Sequence, residues 1–263
     1  MTNQVRLKLL EAAIMKSILH NVEAFPTLTK KEMEELESIQ HNILVQLLEM
    51  PTSTPYNGIL METGVWKMEA RVDYRRLMLY HRIIHSEDSR MIKKLVKMQM
   101  KFPRAGTWYN NIKTVIEKYG IEENVEECLK SEWKKKVKEK IGKRNEDEIR
   151  KKCEQMVKTR FVKEDNWGRK TYINQCSTDE TKKIMRLRLC MVPLPCNQRS
   201  SQREEGCKIC KKRTKIRQEH FSCEGLIRLR RSCGVVEDET RIEDVCKLRR
   251  ASSFMHSVSK LVL

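Results

Sequence analysis

Glycine and proline are scarce in this chain, at nine and six of 263 residues. Barrels and sandwiches consume both at their tight turns, so the scarcity argues against an all-β architecture and toward helices. Aromatic residues make up only 6%. No run of 18 apolar residues occurs, so the sequence offers no membrane-spanning helix and no membrane partner is expected. The N-terminal MTNQVRLKLLEAAIMK is not a secretory leader: Lys8 and Glu11 break its apolar residues, and no small-residue cleavage site follows. Catalytic signatures are missing too. There is no phosphate-cradling glycine loop, no Gly-x-Ser-x-Gly and no His-Glu-x-x-His. Acidic pairs such as Glu87-Asp88 and Asp147-Glu148 sit in charge runs, not between apolar strands, whereas two-metal phosphoryl transfer needs carboxylates on a rigid scaffold.

What the chain does have is positive charge. Charged residues reach 34% and the formal net charge is +18. The first 65 residues carry −3 and the remainder +21, a skew that points to a polyanionic partner; the plain alternative is a solvated lysine-rich surface. Ten cysteines without a secretion signal fit a reducing compartment, cytoplasmic or nuclear, where they serve as thiols or metal ligands.

Apolar spacing reads as helix along most of the chain. Leu7, Leu10, Ile14, Ile18 and Val22 predict a first helix closed by Pro26. Thr29-Lys30-Lys31-Glu32 is a capping box opening a second, to about Glu49, with Met33, Leu36, Ile39, Ile43, Leu47 and Met50 as its stripe. PTSTPYNG reads as a turn-rich loop. VWKMEARVDYRRLMLYHRIIH predicts a helix with two apolar faces, Ser86 a cap for the next, Thr107 the start of another and Gly120 its C-terminal stop. Beyond Glu122, Val125, Leu129, Trp133, Val137 and Ile141 form one narrow ridge, with a helix break expected near 142–146 at Gly142. Ser177-Thr178-Asp179-Glu180 is a second capping box. After Cys223 only a weak helical pattern near Ile242–Leu248 remains. The fold expected is mainly α: a helical region over 1–120, a basic helical linker over 121–195, and a small Cys/His cluster with a tail over 196–263.

Two places carry candidate chemistry. Cys207-x2-Cys210-x9-His220-x2-Cys223 supplies four ligands, enough to close a tetrahedral shell around one zinc ion and leave no open position. Metal binding of about 10–16 kcal/mol holds such a short segment folded. Lys211, Lys212, Arg213, Lys215 and Arg217 then lie on the intervening loop, within reach of phosphates. The competing reading is chance, since ten cysteines make one Cys-x2-Cys unsurprising. The second place is the basic run Lys134, Lys135, Lys136, Lys138, Lys140, Lys143 and Arg144, the other candidate phosphate grip. Trp108 and Trp167, near cations at loops or helix starts, are candidate base-stacking residues; Trp66 and Trp133 read as core. His81 and His85 stand four apart but lack a third ligand, so they read as ordinary helix histidines.

TPYNGILMETGVWKMEARVDYRRLMLYHRIIHSEDSRMIKKLVKMQ resembles the segment just downstream of the polymerase core in polyproteins of non-LTR (LINE-type) retrotransposons. ILHNVEAFPTLTKKEMEELESIQHNILVQLLEMP is similar to the thumb-side helices before it, and GTWYNNIKTVIEKYGI, SEWKKKVKEKI and the stretch from Trp167 to Cys190 to the region after it. The family's Cys-x2-Cys … Glu-His … Cys cluster is matched by Cys207, Cys210, Glu219-His220 and Cys223, although Lys211 stands where the family commonly has glycine. The palm motif Tyr-x-Asp-Asp does not occur. The resemblance covers roughly residues 1–225. It implies a thumb-like helical bundle, RNA or DNA as partner during target-primed reverse transcription, a zinc-knuckle-like cluster, and a polymerase palm outside this chain. A non-catalytic nucleic-acid-binding fragment is therefore expected. The alternative is a helical interaction protein, or an inert relic, without nucleic-acid binding.

Overall fold

A computed structural model describes residues 2–25, 27–121, 125–159, 162, 166–192, 227–233, 235 and 245–262. Helices make up 73% of it, and no β-strand occurs among the described residues. None of the described helices is long and apolar enough to cross a membrane.

The elements run α1 (Asn3–Leu9), a π turn (Leu10–Ile14), α2 (Met15–Ile18), a 3-10 turn (Val22–Ala24), α3 (Lys30–Leu47), α4 (Tyr56–Thr63), α5 (Met68–Ile84), α6 (Met91–Lys101), α7 (Trp108–Tyr119), α8 (Lys130–Glu154), a 3-10 turn (Val157–Thr159), α9 (Thr171–Gln175), α10 (Thr178–Arg188), α11 (Ile227–Cys233) and α12 (Val245–Val262). They gather into two compact units, one of Lys8–Ile43 with Trp66–Ile149, the other of Met1–Leu7, Leu44–Val65 and Arg150–Leu263.

Local capping chemistry sets several helix starts as the sequence predicts. Thr29 and Glu32 exchange backbone-to-side-chain hydrogen bonds of 2.7 and 3.2 Å, and Ser177 and Glu180 do the same at 2.9 and 3.3 Å. Thr107 caps α7, and Gly120 ends it in the left-handed region at φ 58°. Other expectations are corrected. Ser86 does not cap α6; its hydroxyl donates back to Ile83 O and the helix starts at Met91. The π turn adds a residue to the first helix, so burial moves from Ile14 and Ile18 to Met15 and Leu19, and the α-helical part stops at Ile18, well before Pro26. The stripe expected on α3 holds in part: Met33, Leu36, Ile43 and Leu47 are half-buried and Met50, just past the helix, is buried, but Ile39 is 44% exposed and the fully buried positions of the helix are Gln40, Leu44 and Val45. The loop read into PTSTPYNG ends at Pro55, because Tyr56, Asn57 and Gly58 already belong to α4. Gly58 fits there since a β-carbon would come within 2.6 Å of Leu189 Cδ2. Gly64 closes α4 at φ 66°, with the backbone of Gly168 and Arg169 pressed against it.

The core of the unit containing Trp66–Ile149 joins α5, α6, α7 and α8 through Leu77, Tyr80, Ile84, Val96, Ile112, Ile116, Trp133, Val137 and Ile141. Along α8 the buried positions are Trp133, Val137, Ile141, Asn145, Ile149 and Cys153, four apart throughout. That anchorage carries the helix unbroken past Gly142, whose missing side chain faces Trp66. The break expected near 142–146 is absent, and Leu129, expected on the ridge, is 66% exposed. In the other unit, Leu187 and Val192 pack with Val235, Ala251, Phe254, Met255 and Val258. The tail therefore holds an 18-residue helix where the sequence showed only a weak pattern.

Candidate nucleic-acid interface

The ridge that buries one face of α8 turns its cations outward. Lys134, Lys135, Lys138, Lys140 and Lys143 are exposed, and no described carboxylate pairs with any of them. They occupy ten residues of one helix, about 15 Å at 1.5 Å per residue, and at 100° per residue they fan over about 240° of its surface, a dense positive cluster rather than a single line. Unpaired lysines of this kind are fully available to phosphates. Glu139 is the acidic residue interspersed among them, and Glu132 lies two residues before Lys134. Glu132 is taken up locally, accepting from Leu129 N at 3.3 Å at the helix start.

The remaining predicted grip residues are used differently. Lys136 is half-buried and has an interaction partner. Arg144 donates to Glu148 Oε1 at 3.0 Å and to Lys118 O at 2.8 Å, and its guanidinium lies 6.0 Å from the centre of the Tyr119 ring. It braces α7 against α8. Lys118 in turn bonds Glu69 and Asp73 at 2.6 and 2.8 Å. Burial opposes the Lys118 charge, but the two carboxylates outweigh it and raise its pKa. Trp108 is half-buried against Tyr80, and its Nε1 donates to Glu23 O at 2.8 Å, so its indole is already committed.

Trp167 is half-buried at a cleft of about 110 Å³, also lined by Arg169, Lys170, Tyr172, Arg188 and Leu248. Arg188 is held by Glu62 at 2.9 Å. Arg169 Nε is buried without a hydrogen-bond partner. Local spacing gave no hint of this grouping, because Arg188 lies on α10 and Leu248 on α12, remote from Trp167 in sequence. Cys207, Cys210, His220 and Cys223, with Lys211, Lys212, Arg213, Lys215 and Arg217, lie outside the described residues. Among the described residues no group of three or more metal-ligating side chains occurs.

His81 and His85 act as fasteners. Their Nε2 atoms donate to Cys128 O at 3.0 Å and Val125 O at 2.9 Å, tying α5 to the approach to α8. The rings stack at 4.1 Å, and His81 also stacks on Trp133. Burial holds the His81 pKa below its usual value, with His85 and Lys130 pushing the same way and the Cys128 hydrogen bond opposing. The folded protein thus prefers neutral His81. Its contribution is complete above about pH 6.5 and is lost as pH falls from there toward the lowered folded value. Urea midpoints should drop between pH 7 and 5. His81→Gln keeps a donor toward Cys128 O but cannot titrate, so it should drop less. Burial shifts His256 in the same direction, so the difference between the two proteins isolates His81.

Compared with known proteins, the chain matches no family model, no curated protein and no solved structure.

Proposed function

We propose that this chain is a non-catalytic nucleic-acid-binding protein, resembling the C-terminal part of a retrotransposon reverse transcriptase. The observation that carries the reading is the cluster of five exposed, unpaired lysines on α8, in a chain of net charge +18. A helix that buries Trp133, Val137 and Ile141 holds those charges at fixed spacing, and fixed cations suit a regular phosphate backbone better than a mobile tail does. Trp167, beside Arg169, offers a stacking surface next to a cation. The residues that would hold zinc are Cys207, Cys210, His220 and Cys223, and the metal would fold the loop carrying Lys211 to Arg217.

Filter binding of the full chain to single- and double-stranded nucleic acid tests the reading. Retention of either at low salt is expected, and retention of neither rejects it. The zinc assignment is tested separately. Cys207→Ser should lower a wild-type stoichiometry of about one ion per chain; a wild-type chain free of zinc, or an unchanged metal content, rejects it. The second reading, a helical interaction protein, has its own observation in the exposed apolar stripe of α6.

A further inference from the structure

The cleft beside Trp167 brings a ring and a cation together, both without partners. Arg169, Lys170 and Arg188 are the described charged residues lining it, and no described carboxylate does. Arg188 is offset by Glu62, and Lys170 donates to Asn166 O at 2.6 Å. The Arg169 guanidinium has no ion pair among the described residues, and its Nε is buried without a hydrogen-bond partner. The Trp167 indole stacks on no other ring and makes no hydrogen bond among the described residues. Leu248 adds a second apolar wall. Gly168 joins Trp167 to Arg169 at φ 130°, a backbone region that side chains rarely adopt, and it lies against Gly64 at the end of α4. Just beyond, Lys170 N donates to Glu62 O at 3.1 Å. The backbone that carries the ring and the cation is therefore fixed in place by α4.

These features select a ligand. A buried guanidinium donor left without an acceptor is costly, so Arg169 calls for an anion. A lone phosphate would leave Trp167 and Leu248 uncovered, so the anion also carries a flat apolar part. At about 10–15 Å³ for each water-sized group, a cleft of about 110 Å³ holds about seven to eleven of them. That is room for one nucleobase and too little for a base pair. In a chain of net charge +18, read above as a partner of nucleic acid, the planar anion that fits is a nucleotide. We propose that this cleft is a nucleotide site, in which one base stacks on Trp167 and its phosphate is bound by Arg169. A free nucleoside monophosphate and an unpaired nucleotide of a single strand share this chemistry. The strand source rests on the nucleic-acid reading; the site itself does not.

Calorimetric titration of the full chain with adenosine 5′-monophosphate, adenosine and ribose 5-phosphate tests the site. The monophosphate should bind with a Kd of about 1 mM or lower. Each half alone should bind about tenfold more weakly or less, for want of the phosphate contact or the stack. Trp167→Ala should reduce the monophosphate to the affinity of ribose 5-phosphate, and Arg169→Gln to that of adenosine. A variant that misfolds loses both halves together, and the wild-type comparison decides without it. Absence of monophosphate binding, or binding no tighter than that of ribose 5-phosphate, overturns the proposal; so does monophosphate affinity that both variants retain. A labelled single-stranded oligoadenylate, read by fluorescence anisotropy, identifies the source. A loss of about tenfold on Trp167→Ala, with duplex affinity unchanged, puts a strand nucleotide in the cleft. Strand affinity indifferent to Trp167 assigns the site to free nucleotides. Replacing Lys134, Lys135, Lys138 and Lys140 with glutamate should weaken the strand and leave the monophosphate unchanged, so the two readings fail separately.

Discussion

Replacing Glu62 with leucine should destabilise the protein by about 3–5 kcal/mol, as is usual when a buried ion pair loses one partner. Glu62 is fully buried on α4 and accepts from Arg188 Nε at 2.9 Å and from the Tyr172 hydroxyl. The Arg188 side chain is only 3% exposed. Without the carboxylate its charge stays inside the protein, and little water can reach it. Pairing the change with Arg188→Met removes both charges and should restore most of the loss, because the cost lies in a buried guanidinium that has lost its carboxylate rather than in the missing bond itself. Urea denaturation of the wild type, the single variant and the double variant measures this. Equal midpoints for wild type and Glu62→Leu would mean that Arg188 is not held in this way.

The second large effect concerns binding. Reversing Lys134, Lys135, Lys138 and Lys140 to glutamate should weaken affinity for nucleic acid by at least about 100-fold at low salt, with little regard to base sequence. The log–log salt slope should shrink by about four units, one for each phosphate left without its lysine. The fold should be unaffected, because these side chains are exposed and unpaired. The same change at Arg144 is a different experiment. Arg144 holds Glu148 and the Lys118 carbonyl, so its removal loosens the packing of α7 on α8. Binding retained by the four-lysine variant would move the interface elsewhere on the chain.

The sequence was most readable where a few adjacent residues decide the outcome. Thr29 with Glu32, Ser177 with Glu180, and Thr107 with Gly120 mark helix ends through short-range hydrogen bonds and backbone preference, and each is found in place. It was least readable where distant packing overrides local preference. Gly142 lowers helix propensity, yet the burial of Ile141, Asn145 and Ile149 on either side carries α8 through it. The π turn shifts the phase of the first helix, a change that apolar periodicity cannot register. α12 buries Leu248, Ala251, Phe254, Met255 and Val258, but alanine and the intervening serines dilute the apolar stripe. The positive run on α8 was plain in the sequence. Which of its members are free was not, because pairing is decided by neighbours on other elements, as with Arg144 and Lys118. The Glu62–Arg188 pair spans 126 residues and leaves no local trace.

Nucleic-acid binding by fixed cations is the centre of this account, and its salt dependence tests it most directly. For the wild-type chain and a duplex, titrated between about 50 and 200 mM salt, about six phosphate contacts predict that log K falls by about five units per decade of salt. An affinity that holds constant across that range would contradict it.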